Sequence, residues 1–286
     1  REDMRVAMII RCWGARGSIP VCGKDYLRYG GNTTCLEIQN NNGDILLVDA
    51  GSGIREAGNA LVATGRLNVT LLLTHGHWDH IMGFPFFKPL YQPQVEITVV
   101  GEAFAQDSIK DILAQIMSAP YFPINYDEVR ANVIYADRCG DIFPLGDLSV
   151  ESIALSHPNR ASGYKFTQSG KTFVFFTDNE LGLDHEGAAG YDSYVSFCRD
   201  ADLLVHDAEY KDDEYSGKRG WGHSTVGQVA KLALDAGVKR LGLFHHNQDR
   251  RDDEIDDMVA GCCALMARAG AKTDCFGVSQ GMEMSL

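Results

Sequence analysis

Short apolar runs separated by glycine-, asparagine- and proline-rich turns recur along the whole chain, and they predict a strand-rich fold with intercalated helices. In the amino-terminal half the runs at residues 8–13, 34–39, 45–49, 69–74 and 95–100 predict strands, with Gly-Gly-Asn and Asn-Asn-Gly-Asp turn signals between the early ones. A helix is predicted over Ile54–Ala63 behind Gly51 and Gly53, and a second near residues 103–118, stopped by Pro120 and Pro123. In the second half the pattern predicts strands at residues 148–156, 163–168, 171–177, 203–206 and 240–245. Residues 225–236 read as a helix capped by Ser224 and closed by Gly237. Residues 252–269 follow an acidic first turn, and Ile255, Met258, Val259, Cys262 and Met266 fall at helical spacing, which makes an amphipathic helix with sulfur side chains as core filler. There is no repeat, low-complexity tract or long linker. The pattern therefore predicts one domain over residues 1–286, an α/β fold of two packed sheets with helices outside.

Composition narrows the class. The chain has 286 residues, 45% of them hydrophobic, enough for a sizeable core. No run approaches the roughly 20 apolar residues of a membrane span, and no basic-then-apolar leader opens it, although the first residue, Arg1, leaves a natural start upstream open. The net charge of −13 disfavours extensive nucleic-acid binding but admits a small anion drawn to a cationic centre. Eight cysteines (Cys12, Cys22, Cys35, Cys139, Cys198, Cys262, Cys263, Cys275) lack Cys-x-x-Cys spacing, which fits buried free thiols in a reducing cytoplasm.

The chemistry is concentrated in His75-Gly76-His77-Trp78-Asp79-His80, three imidazoles and a carboxylate at the end of an apolar strand. Such a ligand mix suits zinc, manganese or iron better than calcium or magnesium. Further ligand-capable residues stand where other apolar strands emerge: His157, Asp178 and His245. His246 competes with His245, since only one of two successive imzidazoles on an extended strand faces inward. Asp49 ends another strand, where it could accept a hydrogen bond from a ligand histidine or simply serve a turn.

In this order, His75-x-His77-x-Asp79-His80, His157, Asp178 and His245 resemble the ligand series of the metallo-β-lactamase superfamily. The resemblance runs from the strand before Asp49 to His245 and implies a four-layer αββα sandwich. It implies two divalent metal ions, zinc first, with manganese and iron compatible. His75, His77 and His157 would hold one ion and Asp79, His80 and His245 the other, with Asp178 between; His245 rather than His246 matches the pattern. Two ions about 3.5–4 Å apart can share a hydroxide and clamp the attacked group, so Asp79 counts among the catalytic groups as well.

A fold does not name a reaction. His206-Asp207-Ala208-Glu209, then Gly222-His223-Ser224-Thr225, resemble paired loops of ribonuclease Z and its phosphodiesterase relatives. That resemblance makes His223 a general acid oriented by a neighbouring carboxylate. The chain has His-Asp-Ala-Glu where ribonuclease Z has His-Glu-Ala-Thr, so Asp207 and Glu209 both stay open as the partner of His223. No long glycine- and proline-bearing arm for gripping transfer RNA is found. Residues 13–20 and 29–33 are similar to bacterial cyclic-nucleotide-phosphodiesterase-like members. Arg16, Arg28 and Arg160 are candidate phosphate contacts, and Trp78, Phe84 and Trp221 candidate aromatic walls. The expectation is a cytoplasmic phosphodiesterase acting on a small phosphodiester, a cyclic nucleotide first, by attack of a metal-bound hydroxide, with a homodimer implied by the resemblance. The alternatives are ribonuclease Z-like cleavage of RNA, a hydrolase of another ester or amide, a flavin-partnered di-iron oxidoreductase and a non-catalytic nucleotide-binding protein.

Overall fold

The computed structural model describes residues 8–101, 108–137 and 142–286. In chain order the elements are β1 (Met8–Gly14), β2 (Cys35–Asn40), β3 (Ile45–Val48), α1 (Ile54–Ala63), β4 (Asn68–Leu72), α2 (Trp78–Ile81), β5 (Glu96–Gly101), α3 (Ile109–Ile116), β6 (Asn132–Asp137), β7 (Phe143–Leu145), β8 (Leu148–Leu155), β9 (Ala161–Gln168), β10 (Lys171–Phe176), α4 (Tyr191–Phe197), β11 (Leu203–Asp207), α5 (Val226–Ala236), β12 (Arg240–Phe244), α6 (Asp252–Arg268), β13 (Asp274–Gly277) and β14 (Glu283–Ser285). Two seven-stranded sheets result, ordered β14-β1-β2-β3-β4-β5-β6 and β13-β12-β11-β10-β9-β8-β7. Each is mixed: β3 to β6 run parallel, as do β10 to β13, and the remaining pairs are antiparallel.

Strand alternation explains the layering. Leu46 and Val48 of β3 join Phe173 and Phe175 of β10 and Leu203 and Val205 of β11 in a core between the sheets. Their neighbours face outward: Ile45 and Leu47 pack with residues of α1 and α3, whereas Val174, Phe176 and Leu204 pack with α4, α5 and α6. Strands buried on both faces read as continuous apolar runs, as β3 and β10 do. The architecture is the expected αββα sandwich. Met258, Cys262 and Met266 lie in the core beneath α6 as anticipated.

Several boundaries shift. Thr225, not Ser224, caps α5: its hydroxyl accepts from the Gln228 amide at 3.2 Å, while the Gln228 side chain accepts from the Thr225 amide at 3.0 Å. Ser224 is drawn away by the Leu181 amide, which donates to its hydroxyl at 3.0 Å. Gly237 closes the helix with φ 69°, a left-handed conformation glycine adopts without strain. The helix expected over residues 103–118 is present as α3; residues 103–107, like Cys139, lie outside the described residues. Cys22 and Cys263 are exposed, whereas the other described cysteines are buried, and all of these are free thiols.

Candidate metal centre

The carboxyl ends of β3, β4, β10, β11 and β12, with the end of β8, meet along one edge of the sandwich. There the chain turns sharply. Asp49, Asp178 and His245, each just past a strand end, have φ of 64°, 47° and 55°. Left-handed backbone at non-glycine residues is strained, and such strain gathers where side chains must be aimed. For His245 the turn, rather than strand alternation, decides which imidazole enters the site. His246 points away and donates from Nε2 to the Val278 carbonyl at 2.8 Å.

Two clusters of side chains share Asp178. His75, His77, His157 and Asp178 form one; Asp79, His80, Asp178 and His245 form the other, and in each the ligand atoms lie within 4.8 Å of one another. Asp178 Oδ2 is 3.4 Å from His75 Nε2, 3.3 Å from His80 Nε2 and 3.8 Å from His157 Nε2, while its Oδ1 is 3.2 Å from His245 Nε2. Asp79 Oδ2 approaches His80 Nε2 at 3.3 Å and His245 Nε2 at 3.1 Å. The seven residues read from the sequence as ligands are thus brought together.

Each ring is aimed from behind. His80 Nδ1 contacts Asp49 Oδ2 at 2.7 Å, and Asp49 also accepts from the Thr74 amide and hydroxyl, both at 2.7 Å. Asp49 is therefore an orienting carboxylate rather than a bare turn residue. The Thr74 hydroxyl lies 3.1 Å from His75 Nδ1. His157 Nδ1 donates to the Gly222 carbonyl at 2.9 Å, and His245 Nδ1 donates to Glu209 Oε2 at 3.0 Å. These bonds fix the tautomers so that the Nε2 atoms face one another across the site.

The donor set fits divalent metal. His75 Nε2 and His80 Nε2 are buried and, among the described residues, have no hydrogen-bond partner. Buried polar atoms without partners are costly unless something else satisfies them. Burial and the neighbouring His80 push His75 down to about 3, so its nitrogen is a neutral, electron-donating one. Burial favours protonation of Asp178, but His245, His80 and His75 outweigh it and hold the carboxyl well below its usual range. Burial disfavours charge on His80 and His245 as well, but Asp178 and the other carboxylates around them outweigh it and raise both well above the usual imidazole range. A metal binding there would displace their protons, since neutral imidazoles and ionised carboxylates are the forms that bind metal.

Alongside lies a third cluster, Asp207, Glu209, His223 and His245. His223 Nδ1 is 3.0 Å from Asp207 Oδ2, and its Nε2 is 3.4 Å from Glu209 Oε2, so both carboxylates that the sequence left open attend this ring. Burial works against the charged imidazole, yet Glu209 and Asp207 prevail and raise it to about 9. The ring stacks on His245 with centroids 4.7 Å apart.

Sequence reading missed some of the contacts. Glu209 braces His245 as well as facing His223, which its two-residue spacing from Asp207 on extended chain could have signalled. The Ser18 amide donates to Asp79 Oδ2 at 2.8 Å, and Gly17 leaves room for the His245 ring, which a β-carbon there would meet at 2.3 Å from Nδ1. Arg16 contacts no site atom: it is buried and donates to the carbonyls of Gly30, Asn247 and Arg250. Arg28 pairs with Asp256, and Arg160 is exposed just beyond His157. Phe84 lies in the core under α1 and is no wall; Trp78 and Trp221 are 54% and 61% exposed.

The β-lactamase superfamily domain, as a sequence family, matches residues 45–246, and the chain belongs to that superfamily. Ribonuclease Z of Haloarcula marismortui is 24% identical, over 85% of this chain and 86% of its own length. Among solved structures, the metallo-β-lactamase fold protein YhfI of Bacillus subtilis superposes with a TM-score of 0.69 at 18% identity, covering 98% of this chain and 99% of that one. A diphosphatase of the PhnP family does so with a TM-score of 0.69 at 16% identity, covering 98% of each chain.

Proposed function

We propose that this protein is a metal-dependent phosphodiesterase that hydrolyses a small phosphodiester, a cyclic nucleotide first. The observation that carries the reading is the Asp207–His223 pair standing against the metal cluster. The names of the relatives, a ribonuclease and a diphosphatase, support cleavage at phosphorus.

His75, His77 and His157 would hold one ion, and Asp79, His80 and His245 the other, with Asp178 shared. Bound there, divalent ions lower the pKa of water and neutralise charge on a phosphoryl group. The chain supplies the rest. Asp207 fixes His223 through Nδ1, and Nε2, 3.4 Å from Glu209 Oε2, is the nitrogen that would pass its proton to the departing oxygen. Glu209 and Asp207 outweigh burial and favour the protonated imidazole, the form a general acid needs. The Ser18 amide and the neighbouring histidines keep Asp79 ionised and directed inward. Exposed Trp78, next to His77 in sequence, offers a flat face to a nucleobase, whereas Lys218 lies over the Trp221 ring at 4.4 Å. Among the described residues no helix is long and apolar enough to cross a membrane. Cytoplasmic residence and a homodimer belong to the same proposal.

The test is His223→Ala. Turnover of a phosphodiester with a poor alkoxide leaving group should fall roughly 10²–10⁴-fold with metal content unchanged; full retention of rate would refute the acid. Ribonuclease Z-like cleavage is the second reading, favoured by the Haloarcula relative. Turnover of precursor transfer RNA in preference to cyclic nucleotides would establish it.

A further inference from the structure

Glu180 is fully buried, two residues beyond Asp178 after the turn that follows β10, and takes no part in the ligand cluster. One carboxylate there receives four donors. Its Oε1 accepts from the Tyr215 hydroxyl at 2.8 Å and the Gly220 amide at 2.8 Å. Its Oε2 accepts from the Gly222 amide at 2.9 Å and contacts His185 Nε2 at 2.8 Å. Burying a carboxylate is expensive, and a neutral side chain of the same size would cost less. What a neutral side chain could not do is accept from four donors at once.

Three of those donors, Tyr215, Gly220 and Gly222, belong to the loop that ends at His223. Gly222 is the junction: its amide is held by Glu180, its carbonyl receives His157 Nδ1, and the next residue is His223. Gly222 has φ 93°, and a β-carbon there would fall 2.0 Å from His157 Nδ1, so the loop lies directly on the ring. Core packing does not explain this order. Trp221 is exposed, and residues 216–221 contribute nothing to the three apolar clusters of the described residues. The Glu180 amide in turn donates to the Ser156 carbonyl at 2.8 Å, beside His157. Asn179, the residue before Glu180, donates its amide to Asp207 Oδ2 at 3.3 Å.

We infer that Glu180 is a positioning residue that clamps the 220–222 loop and through it sets the placement of His223 and the tautomer of His157. The inference rests on the reading of His223 as general acid, because placement of an acid matters most when the leaving group is poor. A loop holding only the fold together would affect all substrates alike.

Glu180→Gln keeps the volume but turns an NH₂ group towards two of the donors. It should lower kcat on a cyclic nucleotide roughly 10–100-fold, the usual cost of losing an orienting partner. With divalent metal in excess, so that any weakening at His157 is masked, the loss on bis(p-nitrophenyl) phosphate, whose leaving group needs no proton, should stay under about 3-fold. In metal-free protein, amide hydrogen exchange at Gly220 and Gly222 should accelerate at least ~10-fold, with the thermal midpoint marking any general destabilisation. Equal losses on both substrates, or no loss on either, would overturn the inference. His223→Ala, run alongside, separates the two claims. If that variant keeps its rate on the cyclic nucleotide, the acid assignment fails, and the clamp is decided by exchange: unaccelerated Gly220 and Gly222 amides in Glu180→Gln overturn it, and accelerated ones support it.

Discussion

Asp49→Asn isolates what one orienting carboxylate does for a metal site. Asparagine tolerates the left-handed φ of 64° about as well as aspartate, so the backbone is not the variable. Asp49 receives three hydrogen bonds at 2.7 Å, from the Thr74 amide, the Thr74 hydroxyl and His80 Nδ1. An asparagine can present one oxygen to the hydroxyl and the imidazole, but its NH₂ then faces the Thr74 amide, a donor against a donor. The buried amide left without an acceptor costs about 1–3 kcal/mol of stability in the metal-free protein. The larger functional effect is on His80, which exchanges a charged partner for a neutral one and becomes a weaker ligand.

Loss of such a partner lowers metal affinity about 10–100-fold, equivalent to roughly 1.4–2.7 kcal/mol. The effect should be uneven. Asp49 touches His80 directly but reaches His75 only through the Thr74 hydroxyl. Competitive zinc titration against a chromophoric chelator should therefore show one binding phase weakened within that range and the other by less than about 3-fold. Thermal melting in excess chelator measures the stability cost separately. Two unchanged phases, or equal weakening of both, would refute the assignment of Asp49 to His80.

Other residues give independent checks. Arg16→Met should cost roughly 1–3 kcal/mol in urea unfolding, since the buried Arg250 carbonyl and the part-buried Gly30 and Asn247 carbonyls lose their donor, and should leave KM for a phosphodiester unchanged. A higher KM at normal stability would make Arg16 a phosphate contact after all. His246 is buried and pushed down to about 3, chiefly by desolvation, against roughly 6.5 in an unfolded chain. Between these values the unfolded state binds the extra proton, so this group's contribution is complete above pH 6.5 and drains away as pH falls. Comparing metal-free wild type with His246→Gln between pH 6.5 and 5, the variant should lose about 2 kcal/mol less; parallel pH profiles would contradict the burial argument.

The sequence was legible where structure is dictated by burial on both faces, and illegible at the rims. β6, β7, β13 and β14 escaped the apolar pattern, and they are the edge strands of the two sheets. An edge strand packs against one neighbour instead of two, so polar residues such as Asn132, Asp274 and Glu283 are tolerated and the pattern fades. The ligand cluster was legible for a related reason: residues 75–80 are contiguous, and β4 delivers them by its own direction. What surrounds the cluster was legible only in part: Asp49, Asp207 and Glu209 stood out as carboxylates beside motif residues, but Glu180, the contact of Glu209 with His245 and the Ser18 amide are joined to it only by folding. Left-handed turns at Asp49, Asp178 and His245 leave no mark in an apolar pattern either.

The orienting contacts also show which side of the centre is open. His80 is braced by Asp49, His245 by Glu209, His157 by Gly222, His223 by Asp207, and His75 lies against Thr74. His77 lacks a brace of that kind. Its Nδ1 faces His157 Nε2 at 3.0 Å, its other nitrogen has only the Asn159 amide group at 3.4 Å, and it is partly exposed where the other histidines of the site are buried. Exposed Trp78 follows it directly, and exposed Trp221 stands beside Gly222, whose carbonyl holds the neighbouring His157. His77 is therefore the ring of the centre that solvent reaches, with Asp178 and the braced rings buried behind it.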